Sequence, residues 1–196
     1  MTLTSPTTDT GTSAERPLLA FLDTEFCDFE RPELISIALA AEQGPDFYVE
    51  LTDGWSPGHC SGFVQRQVLP LLQGGAVAMT RAQAAEALRR WFQGCKRPVQ
   101  VVSDAPDYDW PQLVGLLQGT LPPNLLPRCA AFYCCSFPAE YANELELTRQ
   151  RYHLTQHNCT AMAGEHHALH DARALREQWL QAELLSPAII SRIMAG

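Results

Sequence analysis

Lysine is almost missing from this chain: of fourteen basic residues only Lys96 is not an arginine, and twenty-two acidic residues leave a formal net charge of −8. That balance excludes bulk electrostatic attraction to nucleic acid, although a local group of arginines can still guide a phosphate backbone, to which guanidinium groups bind bidentately. No run approaches the ~18–20 consecutive apolar residues of a membrane span. The opening stretch, MTLTSPTTDTGTSAE, has neither the basic nor the apolar region of a secretory signal. It is rich in Ser and Thr and has little to bury, so residues 1–16 are expected to form a disordered tail ahead of a single domain over 17–196. The seven cysteines (27, 60, 95, 129, 134, 135 and 159) include no CxxC pair and are odd in number. A disulfide framework is therefore not expected, and a reducing cytoplasm is. His157 and Cys159 together would lack the second ligand pair of a zinc finger.

The 196 residues, 46% apolar, suffice for one well-packed α/β domain. Five apolar residues in a row, Leu18 to Leu22, read as a strand buried on both faces, and the strand runs directly into Asp23-Thr24-Glu25-Phe26. Side chains two apart on a strand point the same way, so Asp23 and Glu25 stand side by side. Like charges that close repel unless one is protonated or a cation lies between them, and a divalent metal with oxygen ligands answers that need. Alone, such a pair reads as a strand running out into solvated residues.

Beyond it, Glu33–Ala41 and Asp46–Leu51 read as second and third strands joined by short links, hence an antiparallel meander. A helix is expected over Phe63–Leu72, ended or kinked by Pro70, and another from an N-cap at Thr80 to a C-cap at Gly94. Pro98–Ser103 reads as a fourth strand parallel to the first, and Arg128–Ser136 as a fifth. Helices are expected at Pro111–Gln118, with Asp109 just ahead, at Phe137–Arg151 with Pro138 in its first turn, and from Glu165 onward. The class is α/β: a mixed five-stranded sheet, strands one to three a meander and strands four and five parallel to the first, flanked by helices. In the last helix Ala168, Ala172, Leu175, Trp179 and Ala182 step by four, three, four and three along one apolar stripe. Asp171 borders that stripe, where an acid is unfavourable without a partner, whereas Arg173 and Arg176 fall on the opposite flank.

Asp23-x-Glu25, Asp109 and Asp171 with His166 five residues before it thus stand in order along the chain. DTEF (23–26), DAPDYDWPQL (104–113) and HHALHDARAL (166–175) resemble the three motifs of the DEDD 3′–5′ exonucleases, the DnaQ-like branch of the ribonuclease H-like fold. The resemblance covers roughly Leu18 to Leu185, and His166 places it in the DEDDh group. ELISIALA and VLPLL (68–72) are similar to the bacterial RNase AS type of exoribonuclease, which favours adenylate-rich RNA. The resemblance implies two divalent ions, Mg²⁺ or Mn²⁺, with Asp23 bridging both, Glu25 and Asp171 completing the site of the water-bearing ion and Asp109 supporting the second. It implies His166 as general base, single-stranded nucleic acid 3′ ends as substrate (RNA rather than DNA), substrate contacts from Thr24 and Phe26, and a homodimer. One departure stands out: the Asn usual before the second motif's Asp is absent, and Asp104, five residues before Asp109, is the alternative ligand.

The plainer readings run beside these. His167 and His170 read as exposed polar residues near a helix start, with His167 the alternative base; His153 and His157 read as surface or loop residues. Trp55, Trp91, Trp110 and Trp179 can stack on bases, but the helical stripes place Trp91 and Trp179 in the core. The same chemistry on DNA, and a non-catalytic nucleic-acid-binding module, remain the alternatives.

Overall fold

The strand at Leu18–Phe26 (β1) forms as its apolar run requires, at the centre of a six-stranded sheet. The computed structural model describes residues 16–157 and 165–195, the side chains of 156 and 157 excepted. The expected tail, Arg16 apart, and the His157–Cys159 pair lie outside the described residues. Arg16 itself is ion-paired with Glu42 and Glu183.

β1 pairs antiparallel with β2 (Leu34–Ala41), which pairs antiparallel with β3 (Phe47–Leu51), so the meander forms as expected. On its other side β1 pairs parallel with β5 (Val99–Ser103), and β5 pairs parallel with β6 (Leu125–Ala131). The sheet has one strand more than expected: β4 (Ala78–Met79) lies parallel to the end of β3 and gives the order β4-β3-β2-β1-β5-β6. Two residues carry no readable periodicity.

Strict alternation along β1 sorts the core into two layers. Leu18, Ala20 and Leu22 pack with Ala84, Leu88 and Phe92 of α2 (Arg81–Gly94) and with Leu113 and Leu116 of α3 (Pro106–Leu116). Leu19 and Phe21 point the other way, onto Ala172, Leu175 and Trp179 of α5 (Ala168–Leu185) and Leu145 of α4 (Ala139–His157). The whole expected stripe of α5 is buried, with Trp179 fully enclosed between Phe21 (5.9 Å) and Phe132 (5.5 Å).

Several boundaries differ from expectation. α3 begins at Pro106, the first-turn proline, not at Pro111, so Asp109 lies within the helix; Pro111 is carried inside it for the loss of one backbone donor. β6 ends at Ala131 opposite Ser103, the last residue of its only partner, and Cys134–Ser136 turn instead. Its early start through Pro127 is possible because β6 is an edge strand. The expected Phe63–Leu72 helix splits at Val68 into α1 (Gly62–Gln67) and a single 3₁₀ turn holding Pro70. Thr80 caps α2 in a full capping box with Gln83, while the C-cap is Cys95, one beyond Gly94. α5 starts three residues after Glu165, and a short amphipathic helix, α6 (Pro187–Ala195), follows it. Arg173 and Arg176 are not simply solvated: both reach Asp46 (2.7 and 3.4 Å) and fasten α5 to the turn after β2.

Since Trp179 fills the centre of one layer, Trp179→Ala is expected to destabilise the protein by about 3–5 kcal/mol. Thr80→Ala, which removes only the cap, should lose about 1 kcal/mol. Urea unfolding measures both, and equal losses would contradict the difference in burial.

Candidate functional site

Beyond Phe21 the parallel neighbour β5 no longer pairs with β1, whereas β2 continues to Leu34 opposite Phe26. The end of β1 therefore projects past β5 with one flank open, and a cleft of about 320 Å³ opens there. The alternation that builds the core also distributes the site. Asp23 and Glu25 continue the α5-facing series of Leu19 and Phe21, so they meet Asp171 on α5. Thr24 continues the opposite series and meets Asp109 on α3, donating from its hydroxyl to the carboxylate at 2.7 Å.

Asp109 is buried, 2% exposed, and its second oxygen accepts from the Ser103 hydroxyl at 2.5 Å. Thr24 and Ser103, from the ends of neighbouring strands, thus fix the plane of one carboxylate. The Ser103 oxygen in turn accepts the Ala105 backbone N–H (2.8 Å) at the start of α3. On the other side, one oxygen of Asp171 accepts the backbone N–H groups of His166 (2.8 Å) and His167 (3.1 Å), which precede α5 and carry its positive pole. The other oxygen of Asp171 lies 3.2 Å from Nε2 of His153. His153 is accordingly no surface residue: α4 buries it to 2% exposure behind the site, because α4 packs along α5 six residues further than the expected Arg151 end.

Every carboxylate expected at the site is brought to the cleft, and Asp104 joins them. Asp23, Glu25 and Asp171 each offer an oxygen within 4.8 Å of the others, and so do Asp23, Asp104 and Asp109. Asp23 belongs to both groups. Asp104 therefore stands beside Asp109 rather than in its place. Hard oxygen donors gathered from β1, α5 and the start of α3 are the set that divalent magnesium or manganese prefers, so the residues fit such an ion.

Electrostatics point the same way. Burial, then the charges of Asp171, Asp109, Glu25 and Asp104, hold Asp23 well above the usual carboxylate range. Burial and the charges of Asp171 and Asp109 push Glu25 up to about 8. Burial lifts Asp109 to about 7 even against the two hydroxyl hydrogen bonds, which favour its ionised form.

His166 lines the cleft and holds its backbone in the left-handed region, φ 68°, which is costly for a side chain with a Cβ and recurs at functional sites. Its ring meets the edge of Phe63 at 4.8 Å. His167 is buried, not exposed, against Tyr48 (4.8 Å) and Gln73, whose amide nitrogen is 3.0 Å from its Nε2; the ring of His170 packs on it at 4.6 Å. Phe26 borders the cleft and stacks on Tyr108 (5.9 Å, 20° between planes), with Phe29 edge-on to both. Phe29 and Tyr108 were not foreseen from the sequence; at 71% and 45% exposure they are large apolar rings left in solvent beside the carboxylates. Arg149 also escaped notice. It is the one arginine or lysine among the described residues of the cleft, held by Glu146 (3.3 Å) and Glu165 (3.7 Å). A run of acids and bases in α4 gave no sign of which side chain faces the site. None of the four tryptophans lines the cleft.

No protein-family model matches the chain, and no curated protein does either.

The raised carboxylates set a pH dependence. A group whose folded pKa lies above its unfolded one contributes stability below the unfolded value, near 4, and loses it as pH rises through the folded value. Without divalent cations, stability should therefore fall between about pH 4 and pH 8, the window set by Glu25. Glu25→Gln should lessen that fall, and Mg²⁺ or Mn²⁺ should offset it. Thermal unfolding in chelator across this range tests the point; an identical slope in the variant would refute it.

Proposed function

We propose that this chain is a 3′–5′ exonuclease of the DEDDh kind, in a ribonuclease H-like fold, trimming single-stranded RNA from its 3′ end with two divalent ions, Mg²⁺ or Mn²⁺. The observation that carries the reading is Asp23: one carboxylate shared by two oxygen-donor groups, with His166 on the same cleft. A single-metal or purely structural acid cluster has no need of a shared carboxylate and a histidine beside it.

Asp23, Glu25 and Asp171 would hold one ion, and Asp23 with Asp109, aided by Asp104, the other. When bound, the pair of ions would supply an activated water and relief of charge on the leaving oxygen. The protein's own part follows from its geometry. Thr24 and Ser103 hold Asp109 in one orientation. The backbone N–H groups of His166 and His167 orient Asp171, so the carboxylates need no rearrangement on binding. His166 would accept a proton from the attacking water, the general-base role to which an imidazole is suited. The Phe63 ring on its edge restricts the imidazole, and the left-handed backbone fixes where it enters the cleft. Phe26, Phe29 and Tyr108 form an apolar wall on which the bases next to the reacting phosphate would stack, each stack contributing about 1–3 kcal/mol. Arg149 would meet a phosphate oxygen across the acidic floor.

Incubating the protein with 3′-tailed RNA and DNA oligomers and Mg²⁺ or Mn²⁺ should give RNA shortened one nucleotide at a time. Shortening of DNA alone would redirect the reading to a deoxyribonuclease, and binding without turnover of either would sink the enzyme. His166→Ala should lower the rate by about 10²–10⁴-fold with Mn²⁺ binding retained. His167→Ala, away from the cleft, should keep the rate and lose stability.

A further inference from the structure

Phe26 is followed by Cys27, which is fully buried in a small core apart from the two main layers, among Ile35, Cys60, Val64 and Val68. An irregularity in pairing creates this core: Glu25 opposes Ser36 but Phe26 opposes Leu34, so Ile35 is skipped and turns inward. Cys60 arrives from the loop ahead of α1, 6% exposed, and the two sulfurs lie 2.7 Å apart. Both thiols face the same acceptor, the Ser56 carbonyl oxygen (3.8 and 3.5 Å), which serves two donors poorly. The backbones are already joined here, since the Ser61 N–H donates to the Cys27 carbonyl at 2.9 Å. The two segments are thus held side by side with their sulfurs in contact.

We propose that Cys27 and Cys60 form a modification site, a dithiol that peroxide-class oxidants convert to an intrachain disulfide tying the end of β1 to the segment that enters α1. Cys60, at the rim, reacts first: its sulfur displaces water from hydrogen peroxide and becomes a sulfenic acid. The Cys27 sulfur then attacks Cys60, the S–S bond forms, and the hydroxyl leaves with the Cys27 proton as a second water. Two electrons pass from the thiol pair to the peroxide. Cys27, fully buried, is shielded from oxidants on its own, and its contact with Cys60 places it to resolve an oxidised neighbour.

The link closes a loop through residues 28–59 and fixes two flanks of a second hollow of about 370 Å³, bordered by Glu25, Phe26, Phe29, Phe63 and His166. Oxidation thus stiffens the apolar wall where it meets the carboxylates. The thiol pair is chemically separate from the metal-ligating set, and its test does not depend on nuclease activity.

The full chain, treated with a small excess of hydrogen peroxide, alkylated after denaturation and digested without reductant, should yield one linked peptide pair containing Cys27 and Cys60. Dithiothreitol should reverse the link. The melting temperature should rise on oxidation by about 5 °C or more. Cys60→Ser should lose both effects, and Cys135→Ser, which alters an exposed thiol, should keep both. Recovery of Cys27 and Cys60 as separately alkylated thiols, or of Cys60 as a sulfinic acid without a link, would overturn the proposal. So would a link that leaves the melting temperature of the wild-type chain unchanged.

Discussion

Mutual repulsion among carboxylates held in a partly dry cleft is the constraint around which this structure is arranged. Asp23, Glu25, Asp104, Asp109 and Asp171 converge where β1 outruns its parallel neighbour; among the described residues Arg149 and His166 line the cleft with them, and His153 stands behind Asp171. Arg149 pairs with Glu146 and Glu165 at the edge of this group, whereas at Asp46 two arginines close on one carboxylate. The protein orients the acids of the cleft with hydroxyls and backbone N–H groups, which leave the space between the oxygens open. A cluster built that way is unfavourable in isolation and favourable around a cation.

The supporting elements serve the same arrangement from two sides. Ser103 ends β5 just where Asp109 needs a second donor, and Ala105, two residues later, is the N-cap of α3, so one short link sets both carboxylate and helix. Behind Asp171, His153 places a buried imidazole against the carboxylate oxygen that the helix start leaves over. Next to the aromatic wall in sequence, Cys27 enters a third, minor core with the skipped residue Ile35. The carboxylate cleft and the irregularity in strand pairing coincide at Phe26, as is common where a strand end must re-aim a side chain.

Much of this was legible before folding. Period-two logic put Asp23 and Glu25 on one side, and the four–three stepping of Ala168 to Ala182 put Asp171 beside a core-facing stripe; both hold. What was not legible has physical reasons. Pro111 looked like a helix start because proline favours first turns, but Pro106 took that place and moved Asp109 inside α3. His153 sits on a helix whose polar residues go all round, so no stripe marked its buried face. Phe29 lies in a short link without periodicity and Tyr108 in the first turn of α3, and only the folded chain brings them to Phe26. β4 owes its existence to the partner it meets, not to its own two residues.

The alternation of β1 gives the strand the character of a ruler as well as a scaffold. Its apolar positions accept exchange among similar residues, because only volume and parity matter there. Loss or gain of one residue between Leu18 and Leu22 is another matter: it would send Thr24 to the face of α5 and both carboxylates toward α3 and α2. The hydroxyl partner of Asp109 and the shared ligand of both donor groups would vanish together. Variation along this strand is therefore confined to substitution, and length is the one property it has no freedom to change.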